Sequence, residues 1–365
     1  MESSKKYKIW IACTLACTLL AMAVPAAAIV YTDPFFHYHA PLGRFAYPIN
    51  NQRYQNDGIT RHFSYDSIIT GTSMTENFKK SEADEIFGAD FIKVPFSGGS
   101  YKEIDSNVRR AFDAGKKVRY VIRCLDYSRL ADDKDTYRED MDFPFYLYNN
   151  NPFDDVSYLF NKTVLLQQTK AVWDYTAAGN KTTDFDAYSN WNAYYTFGAQ
   201  TVFGTYTLPE AAQSSRVLTD EERERILGNI RQNVTSLADE HPETVFYYFF
   251  PPYSICYWHS QYVSGQTDWC IDVEQTAIEE ILKHPNIKLF SFTDHFGLIG
   301  NLNNYKDTAH YGEWVNSWML EWMHEGKHQL TKDNYQDYLD TIRSYYQSYD
   351  YESLEEQRQL SGAGA

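Results

Sequence analysis

The sequence predicts an α/β protein: a three-layer α/β/α sandwich on a five-stranded parallel sheet, preceded by one N-terminal transmembrane helix. Three observations carry that expectation. An unbroken apolar run opens the chain, short apolar segments alternate with amphipathic helical patterns, and polar clusters containing glycine or proline fall just after the expected strands.

The apolar run extends over 9–31, after Lys5, Lys6 and Lys8 and before the first acid, Asp33. At about 1.5 Å per residue it crosses a hydrocarbon core of about 30 Å. Lysines ahead of it and an acid behind it orient the N-terminus to the cytoplasm and the remainder outside. Ala26-Ala27-Ala28 also resembles a signal-peptide cleavage site, but the run continues through Ile29-Val30-Tyr31, which favours a retained anchor. The anchor or signal peptide is thus assigned to 1–31, with the membrane as partner.

An aromatic neck, 33–39, follows. Strands are expected at 65–70, 92–96, 118–125, 244–250 and 287–292, each short, apolar and closed by a turn signal. A helix over 101–114 presents Ile104, Val108, Ala111 and Phe112 on one face. Thr219 with Glu222 forms a capping box before the stripe Ile226, Ile230, Val234 and Leu237. Helices also span 270–283 and begin near Gly312. Strands alternating with helices imply a parallel sheet covered on both faces, with ligands at the carboxyl ends of its strands. The domain is assigned to 32–329, with an aromatic-rich cap inserted at about 130–217. A helical extension and a disordered tail fill 330–365.

Composition narrows the function. The net charge of −16 leaves no basic face for phosphates, which excludes a nucleic-acid partner. The 31 Tyr, 22 Phe and 8 Trp offer surfaces that suit sugar rings or other amphipathic ligands, while any single Tyr more often simply fills a half-buried position. The cysteines lack metal-ligand spacing, so no metal or other cofactor is expected, while Cys256 and Cys270 could form a disulfide outside the cell.

Three clusters bear chemistry. Gly71-Thr72-Ser73 sits at a strand-to-helix turn, where a serine hydroxyl stands above the sheet and its own N–H faces a developing oxyanion. Ser97-Gly98-Gly99-Ser100 ends the second strand, and its glycines let backbone N–H groups approach a ligand. Asp307-Thr308-Ala309-His310 follows the fifth strand, at a spacing that lets the carboxylate accept Nδ1–H and leaves Nε2 to take a serine proton. The expected catalytic residues are Ser73, Asp307 and His310, with Ser73, Gly98 and Gly99 as oxyanion donors. Thr72, Asp126, Tyr127, Asn151 and Tyr253 are expected to line the pocket. Arg123 and Asp126 are expected to form an ion pair, and a metal reading of Asp294-His295 is set aside in favour of the triad.

Together these blocks resemble the SGNH/GDSL hydrolase superfamily: Gly71-x-Ser73 its first block, Gly98-Gly99 its second, Asp307-x-x-His310 its last. The resemblance covers roughly 60–320, less the insertion, and implies a flavodoxin-like sheet order and acyl-ester chemistry. One N-terminal anchor with an external domain also resembles the proteins of D-alanyl-lipoteichoic acid and polysaccharide O-acetylation pathways. That implies a glycan or glycolipid acyl ester as substrate and a membrane-bound acyltransferase as partner. One block departs from the family. Leu125 stands where an asparagine completes the oxyanion hole, so Asn77, Tyr127 and Asn151 become candidate substitutes. The same departure supports a rival reading, a catalytically inactive binding or scaffold module.

Overall fold

A computed structural model of the chain describes residues 2–361. It divides into two compact units, Met1–Ser64 with Asp142–Asp184, and Tyr65–Met141 with Phe185–Ala365. The expected insertion at 130–217 is cut by this division: 142–184 belong with the N-terminal helix, the flanking stretches with the sheet.

The first unit is built on the helix Glu2–Thr32, whose segment Lys5–Thr32 is long and apolar enough to span a membrane or act as a signal anchor. Its end is held by a small core of Ile29, Phe35, Leu147, Tyr158 and Val164. Asp33, fully buried, turns the chain by accepting the backbone N–H of His37 and Tyr38 at 2.9 and 2.7 Å and the Tyr158 hydroxyl at 2.8 Å. The expected neck is therefore a hydrogen-bonded turn.

The second unit is mixed α/β with a six-stranded sheet in the order β2-β1-β3-β4-β5-β6. The strands are β1 (Ser67–Gly71), β2 (Phe91–Pro95), β3 (Tyr120–Cys124), β4 (Val245–Phe250), β5 (Ile287–Ser291) and β6 (Gln329–Leu330). The first five pair in parallel, and β6 adds antiparallel to β5 through Leu289↔Leu330 and Phe290↔Gln329. The sequence led us to expect five strands. The sixth is two residues long, too short to show a period, and lies where the helical extension was placed.

β1, β2 and most of the remaining strand residues are buried, as helices on both faces require. Right-handed crossovers put the helices Tyr101–Asp113, Asp220–Ile230 and Thr267–Ile281 on one face and Lys80–Phe87 on the other, where Glu313–Glu325 packs beside it. Strand order reverses at β1, with β2 laid down on one side of it and β3 on the other, so the carboxyl ends of β1 and β3 form the switch point of the sheet, the usual place for a ligand.

The tyrosine content is spent largely in this core. Tyr248, Tyr305 and Tyr346 are fully buried, and their hydroxyls donate to the carbonyls of Val234, Pro252 and Thr293 at 3.1, 2.7 and 2.6 Å. Cys256 and Cys270 are free, buried thiols. The C-terminal part forms the helices Tyr335–Ser348 and Tyr351–Leu360; of the expected tail, 362–365 lie outside the described residues.

Candidate active site

β1 ends at Gly71, whose φ of +145° suits glycine alone. A Cβ there would meet Thr75 Cγ2 at 2.7 Å and Cys124 Cβ at 2.9 Å, so the sharp exit from the strand is closed to other residues. A 3-10 turn, Ser73–Thr75, follows, and Thr75 N–H and Oγ1 both donate to the Thr72 carbonyl, at 3.0 and 2.8 Å. This tight turn holds Ser73 at the carboxyl end of β1.

The last loop supplies the base. His310 Nδ1 lies 2.9 Å from Asp307 Oδ2 and 3.0 Å from Oδ1. The backbone N–H groups of Ala309 and His310 donate to Oδ1 at 2.9 and 2.8 Å. With Nδ1–H given to the carboxylate, Nε2 carries a lone pair, and it accepts the Ser73 hydroxyl at 2.8 Å. Two residues 237 positions apart thus meet within one hydrogen bond. Burial alone would raise the Asp307 carboxyl, but the hydrogen bonds and charge of His310 and the Lys306 ammonium outweigh it and hold the group well below the usual carboxylate range.

Two further side chains tie base loop to nucleophile turn. Asn316 Nδ2 and the Tyr311 hydroxyl both donate to the Met74 carbonyl, at 3.1 and 3.4 Å. A wall beside the histidine is formed by Trp191, its ring edge-on to His310 at 5.8 Å. Lys306 Nζ lies over the rings of Tyr195 and Trp191 at 4.4 and 5.0 Å and donates to Asp307 Oδ2 at 2.7 Å.

The remaining expected residues divide. Thr72 and Asp126 are joined, the threonine hydroxyl donating to Asp126 Oδ2 at 2.7 Å while Oδ1 accepts Ser128 N–H at 2.9 Å. Asp126 braces the turns after β1 and β3. It forms no ion pair with Arg123, which projects from the strand into the core, donates to the Asn233 carbonyl at 2.6 Å and stacks on Tyr101 and Tyr248. Gly99 is withdrawn as an oxyanion donor, because its N–H closes the turn onto the Phe96 carbonyl at 2.7 Å. The N–H of Gly98, in the left-handed region at φ +58°, has no partner among the described residues.

Tyr127 turns its hydroxyl into the core, toward Thr293 Oγ1 at 2.5 Å and Glu274 Oε2 at 3.1 Å, and Tyr253 packs on its ring. Asn151 belongs to the unit of the N-terminal helix and donates to Asp154 Oδ1 at 2.8 Å. Leu125 is fully buried in the sheet unit, its N–H on the Phe249 carbonyl at 2.8 Å. Of the three candidate side-chain donors, Asn77 alone in the sheet unit has an unclaimed N–H: its Oδ1 accepts Trp191 N–H at 3.1 Å and its buried Nδ2 is unpartnered. Asp294 pairs with His328 at 3.0 Å, not with His295, and no cluster of His, Cys, Asp or Glu suited to a metal occurs among the described residues.

No protein-family model matches the chain, and no curated protein matches it. One solved structure, described as a platelet activating factor from Streptococcus pneumonia, is similar over 75% of this chain and 89% of its own. Its identity is 11% and its TM-score 0.39. A likeness at that level carries no argument.

Sequence reasoning missed Lys306, Tyr311, Asn316 and Glu274. Lys306 and Tyr311 adjoin Asp307 and His310, so position alone was their signal. Asn316 falls one turn into the next helix on its buried side, a position that reads as core. Glu274 carries no distinctive signal, being one carboxyl on a helix whose buried side also holds Thr267, Thr276 and Glu280.

Proposed function

We propose that this chain is a serine-dependent acyl esterase or acyltransferase of the SGNH type, acting on a cell-envelope glycan or glycolipid. In this proposal the N-terminal helix is a retained anchor and the sheet unit lies outside the cytoplasm. The observation that carries the reading is the proton-transfer line from Ser73 through His310 to Asp307. Ser73 Oγ attacks the acyl carbonyl carbon as its proton passes to His310 Nε2. The tetrahedral oxyanion is met by the N–H groups of Ser73 and Gly98 and the amide of Asn77. Collapse expels the sugar oxygen, which takes the proton from Nε2 and leaves an acyl-serine. Water, or a second sugar hydroxyl, then attacks the acyl carbon as its proton passes to His310 Nε2, and collapse breaks the bond to Ser73 Oγ, which takes that proton back as the acid or new ester leaves. Asp307 stays ionised throughout and holds the ring.

A fluorophosphonate probe tests the reading: it should label the wild type and leave Ser73→Ala unlabelled, and equal labelling of both would end it. The rival, an inactive binding module, is favoured by Leu125 in the place of an oxyanion asparagine. Hydrolysis of p-nitrophenyl acetate by the wild type but not by His310→Ala would dismiss that rival. A gene for a membrane-bound acyltransferase beside this one would support transfer over hydrolysis. Retention of the anchor is supported by Ile29, which lies one residue past the alanine run and is fully buried in the first unit's core; N-terminal sequencing of the mature protein checks it.

A further inference from the structure

The first unit exposes large apolar side chains in a place that calls for an occupant. Phe153 is 87% exposed, and Val156, Phe160, Leu166 and Trp173 are between 45% and 62% exposed. Single apolar residues on a surface are ordinary, but five large ones exposed within 21 positions make this stretch a candidate for contact with an apolar phase. The two short helical elements that carry Val156 and Leu166, Val156–Leu159 and Val164–Thr169, pack directly on the N-terminal helix. Tyr158 and Val164 supply the inward face of this stretch, in the core around Ile29, which leaves the five exposed residues outward.

Depth follows from the length of the apolar helix. Counted from Ile9, about 20 residues cross the hydrocarbon core, so the bilayer ends near Ala28 and the last turn stands among the headgroups. That last turn is where the exposed residues attach: Trp173 Nε1 donates to Thr32 Oγ1 at 2.9 Å while the ring remains open. A Trp with its N–H tied and its face free, beside Tyr31 with Arg44 over its ring at 5.2 Å, has the composition of an interfacial belt. Charge permits the approach. The first unit has 9 Lys and Arg against 8 Asp and Glu, so the −16 of the chain resides in the other unit. A near-neutral apolar face meets a lipid surface without the repulsion that an acidic one would suffer.

We infer that the stretch 153–173 is a membrane-seating surface whose occupant is the outer lipid leaflet, so that the first unit lies partly in the bilayer interface and does not hang from a flexible tether. This rests on the proposed retention of the anchor. The test is photo-crosslinking with full-length protein in phosphatidylcholine–phosphatidylglycerol vesicles, with p-benzoylphenylalanine placed at Leu15, Phe160 or Leu166. Phospholipid adducts at all three positions are expected. Lipid adducts at Leu15 with protein adducts, or none, at Phe160 and Leu166 would overturn the seating surface and leave the anchor standing. Loss of lipid adducts at Leu15 as well would overturn both. Because Phe160 and Leu166 are exposed, the substitutions are expected to leave folding intact.

Discussion

Two of the molecule's histidine–aspartate pairs, one in each unit, are of nearly equal length but differ in what faces the other ring nitrogen. In the sheet unit His310 Nδ1 lies 2.9 Å from Asp307 and the opposite nitrogen faces the Ser73 hydroxyl. In the first unit His37 Nε2 lies 3.0 Å from Asp155, but its other nitrogen faces the Arg61 guanidinium at 3.3 Å. That guanidinium also donates to the His37 carbonyl at 2.8 Å and to Asp57 at 2.7 Å. A lone pair already pointed at a fixed cation has no proton to collect. The second pair therefore secures the turn beyond the N-terminal helix, and what leaves one imidazole able to take up a proton and the other not is the group on its far side, not the carboxylate.

That contrast can be broken most directly by removing each carboxylate charge. Asp307→Asn should lower kcat on p-nitrophenyl acetate by roughly 10⁴-fold, since the ring loses its tautomer. Asp155→Asn should leave kcat unchanged and lower stability by about 1–3 kcal/mol in urea titration, because it accepts from both His37 and Tyr38. Equal losses of activity would mean the two pairs are not distinguished as described. Next in size, Asn77→Ala should lower kcat by about 10²–10³-fold with little change in KM, the signature of a donor used only in the transition state.

A third carboxyl sharpens the same comparison. Burial pushes Glu274 up to about 7, although the hydroxyls of Tyr338, Tyr127 and Ser291 pull it down. Its folded value exceeds the unfolded 4.5, so the protonated form stabilises the fold at low pH, and that contribution is lost as pH rises through 7. The loss amounts to about 3 kcal/mol between pH 4.5 and pH 8. Glu274→Gln should flatten the dependence of Tm on pH over that interval; an unchanged slope would show that the carboxyl titrates normally. The smallest effect is expected of Lys306→Met. A partly exposed ion pair contributes about 1 kcal/mol at most, so kcat/KM should fall less than about tenfold.

How much of this was legible depended on whether the signal was local. The five parallel strands could be read because each is a short, mainly apolar or β-branched stretch followed by turn residues, whereas β6 owes its existence to the edge of β5. Asp307 and His310 could be read because three positions separate them. The His37–Asp155 pair spans 118 positions and could not, and neither could the withdrawal of Gly99, which depends on where the Phe96 carbonyl turns. Leu125 was correctly seen to stand at a strand end, but whether Asn77 had a free amide required knowing that Trp191 would take its oxygen. Tyrosine abundance fitted both ligand platforms and half-buried packing, and Tyr248, Tyr305 and Tyr346 serve the core.

The shared grip of Tyr311 and Asn316 on the Met74 carbonyl has a kinetic consequence. Since the turn carrying the hydroxyl and the loop carrying the imidazole hang from one oxygen, neither has to search for the other when a ligand arrives. Encounter with a small phosphonate should therefore be followed by inactivation in a single exponential, without an initial lag, and with the same rate law before and after prolonged incubation.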